Sequence, residues 1–226
     1  ADFRINKHNR INVDLKAIIP RLNIKQELHN TFMENGAGNE EWRNNDVTWN
    51  RQNYEGSLSY THIFKPDVSD LTVRASVSKI VGSRPSYYYM DGNPISRSMS
   101  GGSPLIAALQ ADYKHKFKAG TLSTGMKLTY RQNNIYHQVY TIQGDNWNYT
   151  DEMSNDLLHT EMVPAVYAMF ASRIGKNFTY KAGLRGEMST VTLDSKHEAV
   201  DEKDNSFFLA PSLSGTFKVA KNQELS

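Results

Sequence analysis

The sequence predicts an all-β fold: an antiparallel meander of long strands that forms part of a transmembrane β-barrel. Three observations predict it. Apolar and polar residues alternate in segment after segment, the period of a strand whose two faces meet different surroundings. Several of these segments reach about ten residues; soluble strands usually run five or six, and a tilted strand needs about nine to eleven to cross a bilayer. Short turns and long polar connections alternate along the chain, the asymmetry of a barrel with short turns on one side of a membrane and long loops on the other.

The strands are justified in order. Ile11, Val13, Leu15, Ala17 and Ile19 alternate with Asn12, Asp14 and Lys16. Leu22, Ile24 and Leu28 oppose Asn23, Lys25 and Glu27, and Tyr54, Gly56, Leu58 and Tyr60 oppose Glu55, Ser57, Ser59 and Thr61. Leu71, Val73, Ala75 and Val77 oppose Thr72, Arg74, Ser76 and Ser78. Leu109, Ala111, Tyr113 and Phe117 then oppose Gln110, Asp112, Lys114 and Lys116. Leu122, Met126, Leu128 and Tyr130 oppose Ser123, Gly125, Lys127, Thr129 and Arg131. Residues 157–174 are apolar on both faces, but Pro164 in their middle argues for a strand over a helix. Phe178, Tyr180, Ala182, Leu184 and Met188 oppose Thr179, Lys181, Arg185 and Glu187. The last set, Phe207, Leu209, Pro211, Leu213, Phe217 and Val219, opposes Ser212, Ser214, Thr216 and Lys218. This makes about nine strands, read as one partial barrel domain over residues 1–226.

Pro20-Arg21, Lys118-Ala119-Gly120 and Gly175-Lys176-Asn177 read as tight turns, and residues 65–70 as a slightly longer one. Between them, residues 33–47, 81–107, 142–156 and 192–206 read as long polar loops. Lys114, Lys116, Lys127, Arg131, Lys181, Arg185 and Glu187 are expected to face a water-filled or plugged lumen.

Composition agrees. Among 226 residues, 38% are hydrophobic, and no run of 18 apolar residues offers a transmembrane helix. A mean hydropathy of −0.61 is compatible with a barrel, which needs only alternate residues to be apolar. The 26 basic and 24 acidic residues give no nucleic-acid signal. With no cysteine, disulfides, thiolate metal sites and thiol nucleophiles are excluded. The chain begins at Ala1 without a signal-like segment, so it is expected to be processed or excised from something longer. Alternation alone is also satisfied by a soluble β-sandwich or β-barrel binding module, possibly carbohydrate-binding, with the apolar face turned inward.

No catalytic constellation is present: the chain has no G-x-S-x-G elbow, no H-E-x-x-H and no phosphate loop. It reads as no enzyme, without cofactor or metal. His8, His29, His62, His115, His137, His159 and His197 are scattered. Residues 145–152 are rich in oxygen ligands but lack EF-hand spacing. The ligand-binding candidates are loop aromatics, Tyr87, Tyr88, Tyr89 and Trp147. Tyr joins apolar area to a polar tip and stacks on sugars or peptides. The competing reading places them, with Trp42 and Trp49, in an interfacial aromatic belt.

Ala111-Asp112-Tyr113-Lys114-His115-Lys116-Phe117 followed by Gly125-Met126-Lys127-Leu128-Thr129-Tyr130-Arg131 resembles a strand–turn–strand unit of TonB-dependent outer-membrane receptors, in the outer-membrane β-barrel family. Residues 161–170, with Tyr167 and Ala168, are similar to that family's "E…YA.F" strand. Lys181-Ala182-Gly183-Leu184-Arg185-Gly186-Glu187 is similar to its "aGLRyE" signature, with Gly186 where an aromatic is usual, and Ala210-Pro211-Ser212-Leu213-Ser214 looks like its "fPsl" strand. The resemblance covers residues 107–226 in family order. It implies a cell outer-membrane location and a barrel of about 22 strands filled by a plug. It also implies TonB-energised import of a bulky solute such as a glycan, peptide, cobalamin or iron chelate. The implied partners are outer-membrane lipid, the TonB complex, a plug domain and a surface lipoprotein, with no nucleic acid. No plug or TonB-box sequence is recognised in the chain, so it is expected to be the C-terminal part of such a barrel.

Overall fold

Among the described residues every regular element is a β-strand. The computed structural model describes residues 1–34, 37–175, 177–195, 202–220 and 223–225. In chain order the strands are β1 (Asp2–Arg4), β2 (Asn9–Ile18), β3 (Arg21–Glu34), β4 (Ala37–Lys65), β5 (Ser69–Met90), β6 (Asn93–Gly102), β7 (Leu105–Lys116), β8 (Thr121–Gln143), β9 (Asn146–Ile174), β10 (Phe178–Ser195), β11 (Glu202–Ala220) and β12 (Gln223–Leu225). All join one sheet in the order β1-β2-β4-β5-β6-β8-β9-β10-β11-β12, with β3 on β4 and β7 between β5 and β8. Every pairing is antiparallel.

Two of these divisions are only interruptions. Ile18 pairs with Asn53 and Arg21 with Asn50, so β2 and β3 hold one register along β4. The Arg51 N–H still donates to the Pro20 carbonyl at 3.2 Å. Proline lacks only the return donor, so the rung is halved and the strand continues. The expected turn at Pro20-Arg21 is therefore corrected: it is a break inside one strand. β6 and β7 repeat the arrangement at Pro104, whose carbonyl accepts from Ile80 N–H at 2.9 Å, while Ser103 N–H donates to Asn134 at 2.9 Å.

The expected long loops are also corrected, because the strands continue through them. Residues 81–107 belong to β5, β6 and β7 around a turn at Asp91-Gly92, whose φ values of 47° and 78° suit a two-residue hairpin. Residues 142–156 belong to β8 and β9, which turn at Gly144-Asp145. Residues 33–47 and 192–206 extend β3/β4 and β10/β11, with 35–36 and 196–201 outside the described residues. Lys176 of the expected tight turn also lies outside them. At 29 residues each, β4 and β9 span about 95 Å at ~3.3 Å per residue, far more than a bilayer crossing uses. The asymmetry survives in another form, as long hairpins at one end of the sheet and short turns at the other.

Strand register separates two faces. Directly paired residues share a face, and Val13, Leu58, Ala75, Leu109, Leu128 and Pro164 form one continuous apolar row. The neighbouring row on the opposite face reads Asn12, Ser59, Arg74, Gln110, Lys127, Ala165 and Glu187, and reaches an exposed Phe208 on β11. Lys114, Lys116, Arg131, Lys181 and Arg185 share that polar face, as expected.

The polar face is the concave one. Ala165 is 4% exposed, whereas its neighbour Val166 on the apolar face is 63% exposed and Met126 beside it 61%. Among the described residues the buried apolar side chains are Val47, Val139 and Ala165, and no second layer covers the apolar face. A soluble sandwich would bury that face; here it is exposed, as in a barrel whose solvent is lipid.

Candidate functional site

The apolar face is bounded by aromatics. At the short-turn ends, His62 packs edge-on against Phe64 at 4.6 Å, Phe64 on Tyr113 at 6.2 Å, and His115 against Phe117 at 4.3 Å. Phe178 lies 6.5 Å from Tyr180 and is paired with Phe217. These residues follow or precede each short turn, a signal present in the sequence but not drawn from it. Tyr54, Tyr130 and Phe207 mark the other edge on the same face. Tyr54 and Phe64 are roughly ten residues apart on β4, about 33 Å along the strand and about 25 Å in height at a ~40° tilt, the height of a barrel's lipid-facing band.

Within this height the polar face carries a charged wall. The Tyr167 hydroxyl donates to Asp112, and Gln110 Nε2 donates to Asp112 at 2.7 Å and to Tyr167 at 3.1 Å. The Arg185 guanidinium pairs with Glu187 and lies 5.3 Å from the Tyr167 ring centre. Gly125 makes room for that ring: a Cβ there would fall 2.8 Å from Tyr167 and 2.6 Å from the Ala111 carbonyl. Higher on the wall, Arg131 bonds Glu161 at 2.6 Å, and Ser189 donates to the same carboxylate at 3.2 Å.

Beyond the band, the hairpins divide the predicted ligand residues. Tyr87, Tyr88 and Tyr89 lie in β5 and Trp147 in β9, not in irregular loops. Consecutive strand residues point to opposite faces, so the tyrosine triplet is split. Only Tyr88 lies on the polar face. It belongs to a row that runs Gln26, Asn45, Tyr88, Ser96, Thr141 and Asn148. Asn45 Nδ2 donates to Gln26 at 3.1 Å, and Thr141 and Thr150 hydroxyls meet at 3.1 Å. Every member is neutral and offers an amide or hydroxyl. Sequence reasoning missed five of the six, because only the register aligns residues so far apart in the chain.

Tyr87 and Trp147 lie on the other face, in line with the lipid-facing residues. Tyr87 is paired with Arg97, Arg97 with Tyr140, and Tyr140 with Tyr149. The Arg97 guanidinium sits over the Tyr140 ring at 4.7 Å and the Trp147 ring at 5.1 Å. Trp147 pairs with Ile142, roughly twelve residues beyond the Tyr130–Met162 pair, about 40 Å along the strand, well past an interfacial belt. Trp42, which stacks on His29 at 4.1 Å, is likewise far out on its hairpin, on β4.

Among the described residues no three His, Asp or Glu side chains come together to hold a metal. Residues 145–152 lie in and beside β9 as strand and turn. His197 is outside the described residues.

Comparison with known proteins gives consistent results. No curated protein matches. Among solved structures, the crystal structure of the ferric citrate transporter FecA in its unliganded form matches with a TM-score of 0.57 at 12% identity. The match covers 95% of this chain and 35% of that one, so the chain spans about a third of the transporter's length. At that identity the likeness is one of fold. The model of the outer membrane protein beta-barrel family matches residues 71–226, more than half of the chain. The continuous lipid-facing band, the polar concave wall and this match place the chain in the outer membrane, as a member of the outer membrane protein beta-barrel family.

Proposed function

We propose that the chain is part of the wall of a TonB-dependent receptor that imports a bulky, neutral, hydroxyl- or amide-rich solute, a glycan or a peptide. The observation that carries this reading is the uncharged row from Gln26 to Asn148 on the polar face of the outer hairpins. Six aligned neutral donors and acceptors suit a solute recognised by many weak hydrogen bonds, with Tyr88 as its stacking surface. The charged wall below, around Asp112, Tyr167 and Arg185, suits contact with a plug domain contributed by the rest of the barrel. A surface lipoprotein would cap the hairpins, and no catalytic step is involved.

The test is uptake by cells carrying the full-length protein, supplied with labelled oligosaccharides, peptides or iron chelates. Uptake that stops when TonB is removed, and that weakens with Tyr88→Ala but not Tyr87→Ala, supports the reading. Uptake indifferent to TonB, as through a passive porin, contradicts it. So does equal sensitivity to the two tyrosine substitutions.

A further inference from the structure

We propose that a groove on the outward face, just above the apolar band, binds the phosphorylated saccharide headgroup of an outer-leaflet glycolipid. The groove consists of three joined depressions of about 300, 560 and 190 Å³. The first two share Ser83, Asn134 and Tyr136, and the last two share Met99 and Gln138. Register places these residues on the face that carries Val77, Leu105 and Leu128 below. A solute in the lumen does not reach them.

Two features give the groove its shape and chemistry. Gly101 lets the Tyr136 hydroxyl close over the backbone, because a Cβ there would sit 2.5 Å from that oxygen and 2.5 Å from the Gly82 carbonyl. At the upper end, Arg97 and Tyr140 line the smallest depression, with the guanidinium lying over both the Tyr140 and the Trp147 rings. Asp156 and Asp194 line the opposite end, so an anionic group seats beside Arg97 and sugar hydroxyls run toward the carboxylates. Aromatic rings beside amides and a guanidinium suit a sugar that carries a phosphate.

Height selects the occupant. Asn134 is roughly four residues above Tyr130 on β8, and Tyr140, the partner of Arg97, roughly ten. At ~3.4 Å per residue and a ~40° tilt these stand about 10 Å and about 26 Å above the band. That interval lies beyond the acyl chains and within the saccharide layer of the outer leaflet. The groove is polar and faces away from the lumen at the height where glycolipid sugars surround the barrel. The inference needs only the outer-membrane location, so failure of energised uptake leaves it standing.

The test uses the full-length protein in mild detergent and measures binding of two probes, lipopolysaccharide with a phosphorylated core and the same material after phosphatase treatment. Folding is checked by heat-shifted gel mobility. The wild type is expected to bind the phosphorylated probe roughly tenfold more tightly, the scale of one charge-assisted contact. Arg97→Gln is expected to abolish that preference, and Tyr88→Ala on the lumen side to leave it intact. Equal binding of both probes by the wild type overturns the proposal without recourse to any variant. So does an Arg97→Gln protein that keeps the preference, or a Tyr88→Ala protein that loses it.

Discussion

Placing an arginine at Met126 puts a charge at the centre of the lipid-facing band. Met126 lies midway between Leu122 and Tyr130 on β8, on the apolar face, and is 61% exposed to whatever surrounds the sheet. If that surrounding is hydrocarbon, Met126→Arg costs about 2–4 kcal/mol, whereas Tyr130→Arg at the edge costs about 0–1 kcal/mol. The central cost amounts to roughly one and a half to three orders of magnitude in the folding equilibrium. Lys127→Arg, one residue along but on the polar face, is expected to be nearly neutral. The assay is a guanidinium series on the full-length protein in phospholipid vesicles, with the folded fraction read from gel mobility. Intrinsic fluorescence from these residues is the wrong probe, because Trp42, Trp49 and Trp147 all lie in the outer hairpins and not in the band. If water covered the apolar face, all three substitutions would fall within about 0.5 kcal/mol of the parent, as exposed surface changes usually do. That result would refute the lipid-facing assignment.

Other outcomes follow from the same geometry. Gly125→Ala drives a methyl group against the Ala111 carbonyl and the Tyr167 ring, so it should cost about 1–3 kcal/mol, measured as a lower guanidinium midpoint. The absence of native cysteine allows register to be read by crosslinking. Leu22→Cys with Trp49→Cys should crosslink on oxidation because β3 continues β2 along β4, whereas Ala17→Cys with Ile24→Cys should not, as it would if Pro20-Arg21 were a two-residue turn. Arg131→Ala removes a contact to Glu161 from a side chain that is 45% exposed, so the loss should stay below about 1 kcal/mol and shrink further in high salt.

The band was legible in the sequence and the hairpins were not, for one physical reason. Between Leu122 and Tyr130 lipid lies on one face and water on the other, and that difference writes the alternation. Past Gln132 on β8 and before Met162 on β9 both faces meet water, the alternation fades, and the segment reads as a loop although the ladder continues. The fading also conceals a shift between His137 and Val139, where extra residues of β9 bulge and Ser154 bonds the Val139 amide at 2.9 Å. Pro20 misled because proline usually marks a turn, and only the partner strand shows the kept half-rung. The lumen residues, Lys127, Arg185 and Glu187 among them, fell on the expected face because parity inside the band is unbroken. Tyr87, Tyr88 and Tyr89 looked like one site because they are consecutive, yet alternation itself separates them.

The central claim is that one face of this sheet meets lipid and the other water. The most direct measurement is a spin-label scan over residues 122–131 in vesicles, comparing collisions with oxygen and with a water-soluble nickel chelate. Labels at Leu122, Thr124, Met126, Leu128 and Tyr130 should favour oxygen, and those at Ser123, Lys127, Thr129 and Arg131 the chelate, in period two, with Gly125 left unlabelled because its site is closed. A reversed pattern, or uniform access to the chelate, would contradict the account.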